Sequence, residues 1–574
     1  MTSDMHIDWD LPIEMDDGLV LRADLFRPDH AGTFPVILTY GPYAKGLSFQ
    51  EGYPDQWRIM IEQHPDVAIG SSGKYQNWEV VDPEKWVPDG YALLRVDSRG
   101  CGRSPGYIDI FSERETDDLE ACIEWAGTQE WSSGKVGLNG ISYYAINQWH
   151  VASRQPEHLA AMCVWEGAAD FYRDMSHHGG IPSTFWANWY DMQVRTVQFG
   201  LGDRGPVSQV TGVAVCGDVT LSEAELEENR SDFGSDIRAH PLDDEYHRVR
   251  SPDWSKVTAP LLTAGNWGGQ GLHLRGNVEG FVRAASTEKW LELHGLEHWT
   301  HFYTDYGVDL QKRFFAYYLK DEPNGWDAEP PVRLQIRHLD RFEERVEPVW
   351  PLQDTMWTRF YLDAGTAQLG SGLPENGQVE YDALGDGVTL LTDPLESETE
   401  ITGPAALKLF LASSTEDADV FAVVRVFDPD GDEVTFQGAV DPHTPIAQGW
   451  LRASHRALDP ELTLPYRPYH SHVRTEPMIP GTRYELDVEI WPTSIVIPAG
   501  YRIGLTVRGR DYEYGGDLGR ARLASFKNRL TGSGPFLHDD DRVRPKEVFG
   551  GRISLHTGPD SPSHLLLPVI DRAG

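Results

Sequence analysis

Short apolar runs and amphipathic stretches alternate over the first part of the chain. "FPVILTY" (Phe34–Tyr40), "YALLRVD" (Tyr91–Asp97), "KVGLNG" (Lys135–Gly140) and "LAAMCVW" (Leu159–Trp165) are rich in strand formers and short enough to be buried strands. Between the second and third lies Glu115–Trp131, where Leu119, Cys122, Ile123 and Trp125 share one helical face behind an acidic start. A second helical stretch follows Ser142 and runs through Val151. Strands alternating with helices predict a parallel α/β sheet. The alternation resumes later with a strand at Ala259–Gly265, a helix from Leu274, a strand at Lys289–Gly295 and a helix at Val308–Lys320.

The block between these halves is different. "STFWANWYDMQVRTVQFG" is aromatic with helical period, and the charged segment Leu221–Ser251 also reads as helix, which predicts a helical cap inserted into the core. After the Pro/Gly-rich break Asp321–Pro331, helical period gives way to strand-like runs such as "RLQIRHL", "DVFAVVRVFD" and "YRIGLTVRG", separated by turn signals. These predict an all-β jelly roll or sandwich. The fold class is therefore α/β: a core over residues 1–170 and 257–325, a cap over 171–256, and a β jelly-roll domain over 332–574. No fixed-period repeat is present.

At 574 residues the chain is long enough for several domains. It has no apolar run of membrane-spanning length, and Met1–Asp10 lacks the basic and apolar regions of a signal peptide. Its four cysteines form no CxxC pair, which predicts buried free thiols and a cytoplasmic setting. The net charge of -39, spread along the chain, excludes a nucleic-acid binder and an anionic membrane surface as partners. It suits a soluble surface or a cationic substrate. The pair "HHGG" (His177–Gly180) lacks the further ligands of a zinc site, so no metal is expected.

Ser142 stands where a predicted strand meets a predicted helix, two residues after Gly140. A nucleophile elbow needs this arrangement, because the turn is so sharp that the residue two before the serine must be small. The plainer alternative is a helix N-cap. "DSRGCGRSPG" (Asp97–Gly106) followed by "GISYYA" resembles the cocaine esterase/X-prolyl dipeptidyl peptidase group of serine hydrolases, which carries D-x-R-G-x-G-x-S-x-G before a G-x-S-Y-x-G elbow. The resemblance extends over the chain and departs at Ala145, where the group has glycine.

The resemblance implies an α/β-hydrolase that uses no cofactor. It implies an oxyanion hole made by the N–H of Tyr143 and the hydroxyl of Tyr43, in "TYGPYAKG", with Tyr40 as competitor. The base is expected after "KWLELHG": His298 is favoured over His301 and over His294, which ends the strand. The group's triad aspartate falls at Gly269 in "GNWGGQG", which has no carboxylate to orient an imidazole. Glu166, which follows "LAAMCVW", is the replacement preferred here. Asn266, Glu297 and Asp305 are rivals, and an arginine partner for Glu166, such as Arg99 or Arg173, is the structural alternative. Asp97 and Arg99 read as architectural. Trp165, Phe185, Trp186, Trp189 and Asn266 are candidates for a substrate pocket under the cap.

The expected activity is hydrolysis of a carboxylic ester through an acyl-enzyme on Ser142. Amide or X-Pro dipeptidyl cleavage is the near alternative, because the group contains both. Acyl transfer, or a binding protein on a disabled scaffold, are the others. The expected partner is a small ester or amide substrate, and a homodimer is compatible with the sequence.

Overall fold

The computed structural model describes residues 5–518 and 530–571; the first four residues of the N-terminal stretch read above lie outside it. Ten strands among the described residues form one sheet. They are β1 (Met5–Glu14), β2 (Val20–Pro28), β3 (Phe34–Gly41), β4 (Ala92–Asp97), β5 (Ser132–Ile141), β6 (Leu159–Trp165), β7 (Leu261–Asn266), β8 (Lys289–His294), β9 (Val332–Arg337) and β10 (Phe342–Glu347). Their order is β1-β2-β4-β3-β5-β6-β7-β8-β9-β10. Pairing is parallel from β4 through β9 and antiparallel at both edges. Every residue of β3, β4 and β7 is buried, as expected of parallel strands covered on both faces.

Four helices cover the sheet: α1 (Glu113–Gly127), α2 (Tyr143–Ala152), α3 (Leu274–Arg283) and α4 (Asp305–Lys320). Ser112 caps α1 by accepting from the Glu115 N–H, and Thr304 caps α4 by accepting from Gly307. The strand–helix alternation read from the sequence is thus present, with β6 spanning the residues expected for it.

Two expectations need correction. The sequence pattern places "RLQIRHL" in the β domain, yet Val332–Arg337 is a strand of the hydrolase sheet, where Leu291 pairs with Val332 and Leu293 with Leu334. The cap is less helical than its periodicity implies. Its aromatic segment is a short helix (Phe185–Trp189) followed by wider and tighter turns. The charged segment breaks into Glu223–Glu228, Phe233–Ala239 and Glu245–Arg248, each started by its own Ser or Asp cap.

Among the described residues beyond 350, the regular elements are strands joined by loops, apart from the short helices Ala453–His455 and Lys546–Phe549. The long strand Thr399–Ser413 pairs with both Arg483–Ile497 and His564–Ile570, which closes the path of strands on itself. This domain packs firmly on the rest. Arg275 of α3 reaches both Asp174 of the cap, at 2.7 Å, and Glu489 of the β domain, at 2.8 Å. Ala439 of the β domain accepts from the His298 N–H at 3.1 Å, and its own N–H donates to Gly268 at 3.1 Å. The four cysteines are buried and unpaired. Among the described residues no helix is long and apolar enough to cross a membrane.

Candidate active site

Ser142 joins β5 to α2 with φ 56° and ψ -113°, and its side chain makes no capping hydrogen bond. The N-cap alternative is therefore not realised, and the serine stands on a strained turn. A Cβ at Gly140 would overlap the Tyr144 side chain and approach the Glu79 carbonyl to 3.2 Å, so this turn requires glycine there. The departure at Ala145 is accommodated by Gly167, where an added Cβ would come within 3.3 Å of the alanine methyl.

Five of the chain's non-glycine residues at positive φ cluster here: Ala44 beside Tyr43, Glu79, Ser142, Glu166 and Leu296 before His298. Each costs about 1–3 kcal/mol and persists only where the surroundings fix it, which marks this region as functional.

One cavity brings Ser142, His298 and Tyr43 together, with Glu79, Gln56, Gln193, His273 and a wall of Trp78, Phe185, Trp189 and Phe536. Its free volume is about 30 Å³, so the site is narrow. Tyr43 is buried, and its hydroxyl accepts from Trp189 Nε1 at 3.1 Å, leaving its own proton to donate. Burial, with Glu79 nearby, pushes the phenol well above its ordinary range, so it stays protonated. Tyr143 is the first residue of α2, so its N–H has no intrahelical acceptor. Its hydroxyl donates to Glu115 behind the site.

The loop after β3 is tied down by Asp97, which accepts from the N–H groups of Lys45 at 2.6 Å and Arg103 at 2.8 Å. Arg99 forms a fork with Asp118 and also reaches Asp17. Both residues of the "DSRG" motif thus shape the loops beside the elbow.

Burial pushes His298 down to about 3, so it is a neutral imidazole at neutral pH. Its Nε2 shares a hydrogen bond with Glu79 Oε1 at 3.0 Å, while Nδ1 is buried without a partner among the described residues. His301 lies apart, stacked on Tyr306 and bonded to Gln335 at 3.0 Å. His294 is fully buried between two acids, with Nδ1 2.6 Å from Glu292 and Nε2 3.2 Å from Glu166. Burial opposes its charge, but Glu292 and Glu166 outweigh burial and push it up to about 9.

Glu166 is fully buried at φ 52° and its N–H donates to Ala264 at 2.7 Å. A Cβ at Gly269 would stand 3.3 Å from Glu166 Oε2, so the carboxylate fills space that the missing aspartate would approach. Burial raises its pKa and His294 opposes that rise. Its contact is His294, neither an arginine nor the expected base His298, whose Nε2 meets Glu79 and whose Nδ1 has no partner among the described residues; Arg173 is engaged by Asp170 and Asp243.

Phe185 and Trp189 stand on the cavity wall, but three other pocket candidates do not. Trp165 packs on His294 and Phe302, Trp186 donates to Met175, and Asn266 donates to the Leu296 carbonyl in the loop before His298 and accepts from the Gly268 N–H in its own turn. Sequence reasoning missed Glu79 and His273. Glu79 is buried, and burial pushes its carboxyl well above the usual range. The signal available was a lone acid within the apolar run "NWEVV".

This sheet order, with a strained serine between β5 and α2, is the α/β-hydrolase arrangement. A family model described as X-Pro dipeptidyl-peptidase (S15 family) matches residues 17–303, and one for the X-Pro dipeptidyl-peptidase C-terminal non-catalytic domain matches 324–564. The chain belongs to this S15 family and is an enzyme of the serine-hydrolase type. It is 24% identical to cocaine esterase from Rhodococcus sp. (strain MB1 Bresler), with 98% of each chain covered. It is 23% identical to a putative Xaa-Pro dipeptidyl-peptidase from Streptomyces avermitilis, over 74% of this chain and 68% of that one. A crystal structure of a CocE/NonD family hydrolase from Staphylococcus aureus superposes with a TM-score of 0.83 at 30% identity, covering 99% of this chain and 94% of that one.

Proposed function

We propose that the protein hydrolyses a carboxylic ester through an acyl-enzyme intermediate. The observation that carries this reading is the strained Ser142 in one cavity with a neutral histidine and a phenol. Ser142 Oγ attacks the ester carbonyl, and His298 takes its proton. The Tyr43 hydroxyl and the Tyr143 N–H stabilise the oxyanion, and the proton then passes to the departing alkoxide. Water repeats the sequence with Ser142 as leaving group. Glu166 keeps the acid role in this proposal because the glycine at 269 leaves its carboxylate room to turn; at rest the carboxylate meets His294 at 3.2 Å, and it must swing to the unpartnered Nδ1 of His298 to serve the base. The substrate is a small uncharged or cationic ester, and the unpaired buried cysteines suit a reducing cytoplasm.

Labelling with a fluorophosphonate and mapping the peptide tests the assignment. Stoichiometric label on Ser142 is expected, and label elsewhere refutes the nucleophile. Turnover of an ester against its matching anilide decides between ester and amide hydrolysis, with the ester expected to be faster.

Two predictions follow from the cavity. Tyr43→Phe keeps the packing but removes one oxyanion donor, and lowers kcat by about 10²–10³-fold with little change in KM. An unchanged kcat in steady-state assays would exclude the phenol from the oxyanion hole. The base works in its neutral form, so activity falls only as pH drops towards its pKa. With burial holding His298 at about 3, kcat/KM stays level well below pH ~6.5, where an ordinary histidine titrates. An acid limb centred near pH ~6.5 would count against this environment.

A further inference from the structure

Each ring nitrogen of His298 has room for one in-plane hydrogen bond. Nε2 spends its bond on Glu79 Oε1 at 3.0 Å. Ser142 Oγ, on the wall of the same cavity, has no hydrogen bond among the described residues. The serine and Glu79 therefore compete for the base. Glu79 is the one carboxyl on the described cavity wall, and its Oε2 is buried without a hydrogen bond. Its backbone is fixed, because its carbonyl accepts from the Ile141 N–H at 3.0 Å and its φ is 62°. The side chain alone is left to turn.

We propose that Glu79 is a latch on the base: at rest its carboxyl occupies His298 Nε2 in place of Ser142, and a substrate carrying a hydroxyl or amine donor beside its scissile carbonyl draws the carboxyl away. This deepens the ester-hydrolase reading and rests on Ser142 and His298 as nucleophile and base. The exchange makes and breaks hydrogen bonds only. At rest the protonated Glu79 carboxyl donates to the unprotonated Nε2; on exchange it gives up Nε2 and accepts from the substrate donor through its carbonyl oxygen, and Ser142 then donates to the same nitrogen. An ester lacking the donor must break the Glu79–His298 bond with nothing in return and leaves a buried carboxyl unsatisfied. The geometry fits this order of events, since Glu79, Ser142 and His298 line one narrow cavity that a substrate must enter.

The test compares phenyl butyrate with phenyl 2-hydroxybutyrate and phenyl 2-aminobutyrate, each corrected for its rate of alkaline hydrolysis. It uses full-length wild type, Glu79→Ala and Glu79→Gln, together with the rate of Ser142 labelling by a fluorophosphonate, which has no donor. Wild type is expected to favour the donor esters by about tenfold or more in kcat/KM, the scale of one buried hydrogen bond. Glu79→Ala should lose that preference and label faster than wild type. Glu79→Gln, whose amide can still bond Nε2, should label as slowly as wild type. Slower labelling of Glu79→Ala would show that Glu79 supports the base and would overturn the latch, as would a preference that survives the substitution. A wild type in which Ser142 takes no label overturns the nucleophile itself, and the latch with it.

Discussion

Replacing Ser142 by alanine is expected to lower kcat on an activated ester by about 10⁵–10⁶-fold, because residues of a nucleophile–base unit fail together. A residual rate of about 10³-fold over water remains, supplied by the oxyanion donors and by binding. Stability should change little. The serine side chain makes no capping bond, and alanine at this turn meets the same positive φ of 56°. The measurement is steady-state turnover alongside thermal unfolding of the same preparation. Turnover within tenfold of wild type would place the chemistry elsewhere. A collapse of both turnover and melting temperature would show only that the elbow holds the fold.

The second large effect concerns the missing aspartate. Glu166→Gln keeps the shape but loses the charge, and should slow kcat by about 10³–10⁴-fold, as neutralising a triad acid does elsewhere. Gly269→Asp alone should also be harmful. Its Cβ would come 3.3 Å from Glu166 Oε2 and 3.0 Å from the Asn266 carbonyl, which crowds two carboxyls into one buried place. The informative variant is the pair, Glu166→Ala with Gly269→Asp, which moves the acid to the position where relatives of the resembling group carry it. Recovery of at least about tenfold over Glu166→Ala is expected. Full activity in Glu166→Gln would remove Glu166 from the mechanism. A pair no better than Glu166→Ala would mean that Gly269 does not face the base.

The core was legible because its signals are local. A fully buried strand writes itself as an apolar run, and the elbow needs a glycine two residues before the serine, so β6, Gly140 and Ser142 could be read without a partner in view. Glu79 could not, because its meaning comes from His298, 219 residues away along the chain. The membership of β9 was hidden for the same reason. "RLQIRHL" alternates like any strand, and only its parallel pairing with β8 decides which sheet it joins. Trp165 and Trp186 misled as pocket candidates because an aromatic residue reads alike whether it faces a cavity or packs behind one.

The loop around Ala439 has a consequence for how such an enzyme changes over generations. It grips the backbone of His298 on one side and Gly268 on the other, while Val440 and Phe536 close the cavity. The β domain supplies none of the groups assigned to bond-making, yet it holds the backbone of the proposed base and forms part of the cavity wall. Substitutions there can retune substrate choice while the hydrolase sheet stays untouched, and the two portions must be inherited as a pair. A gene fragment encoding the α/β portion alone would carry every reacting atom but lack the seating of its own base.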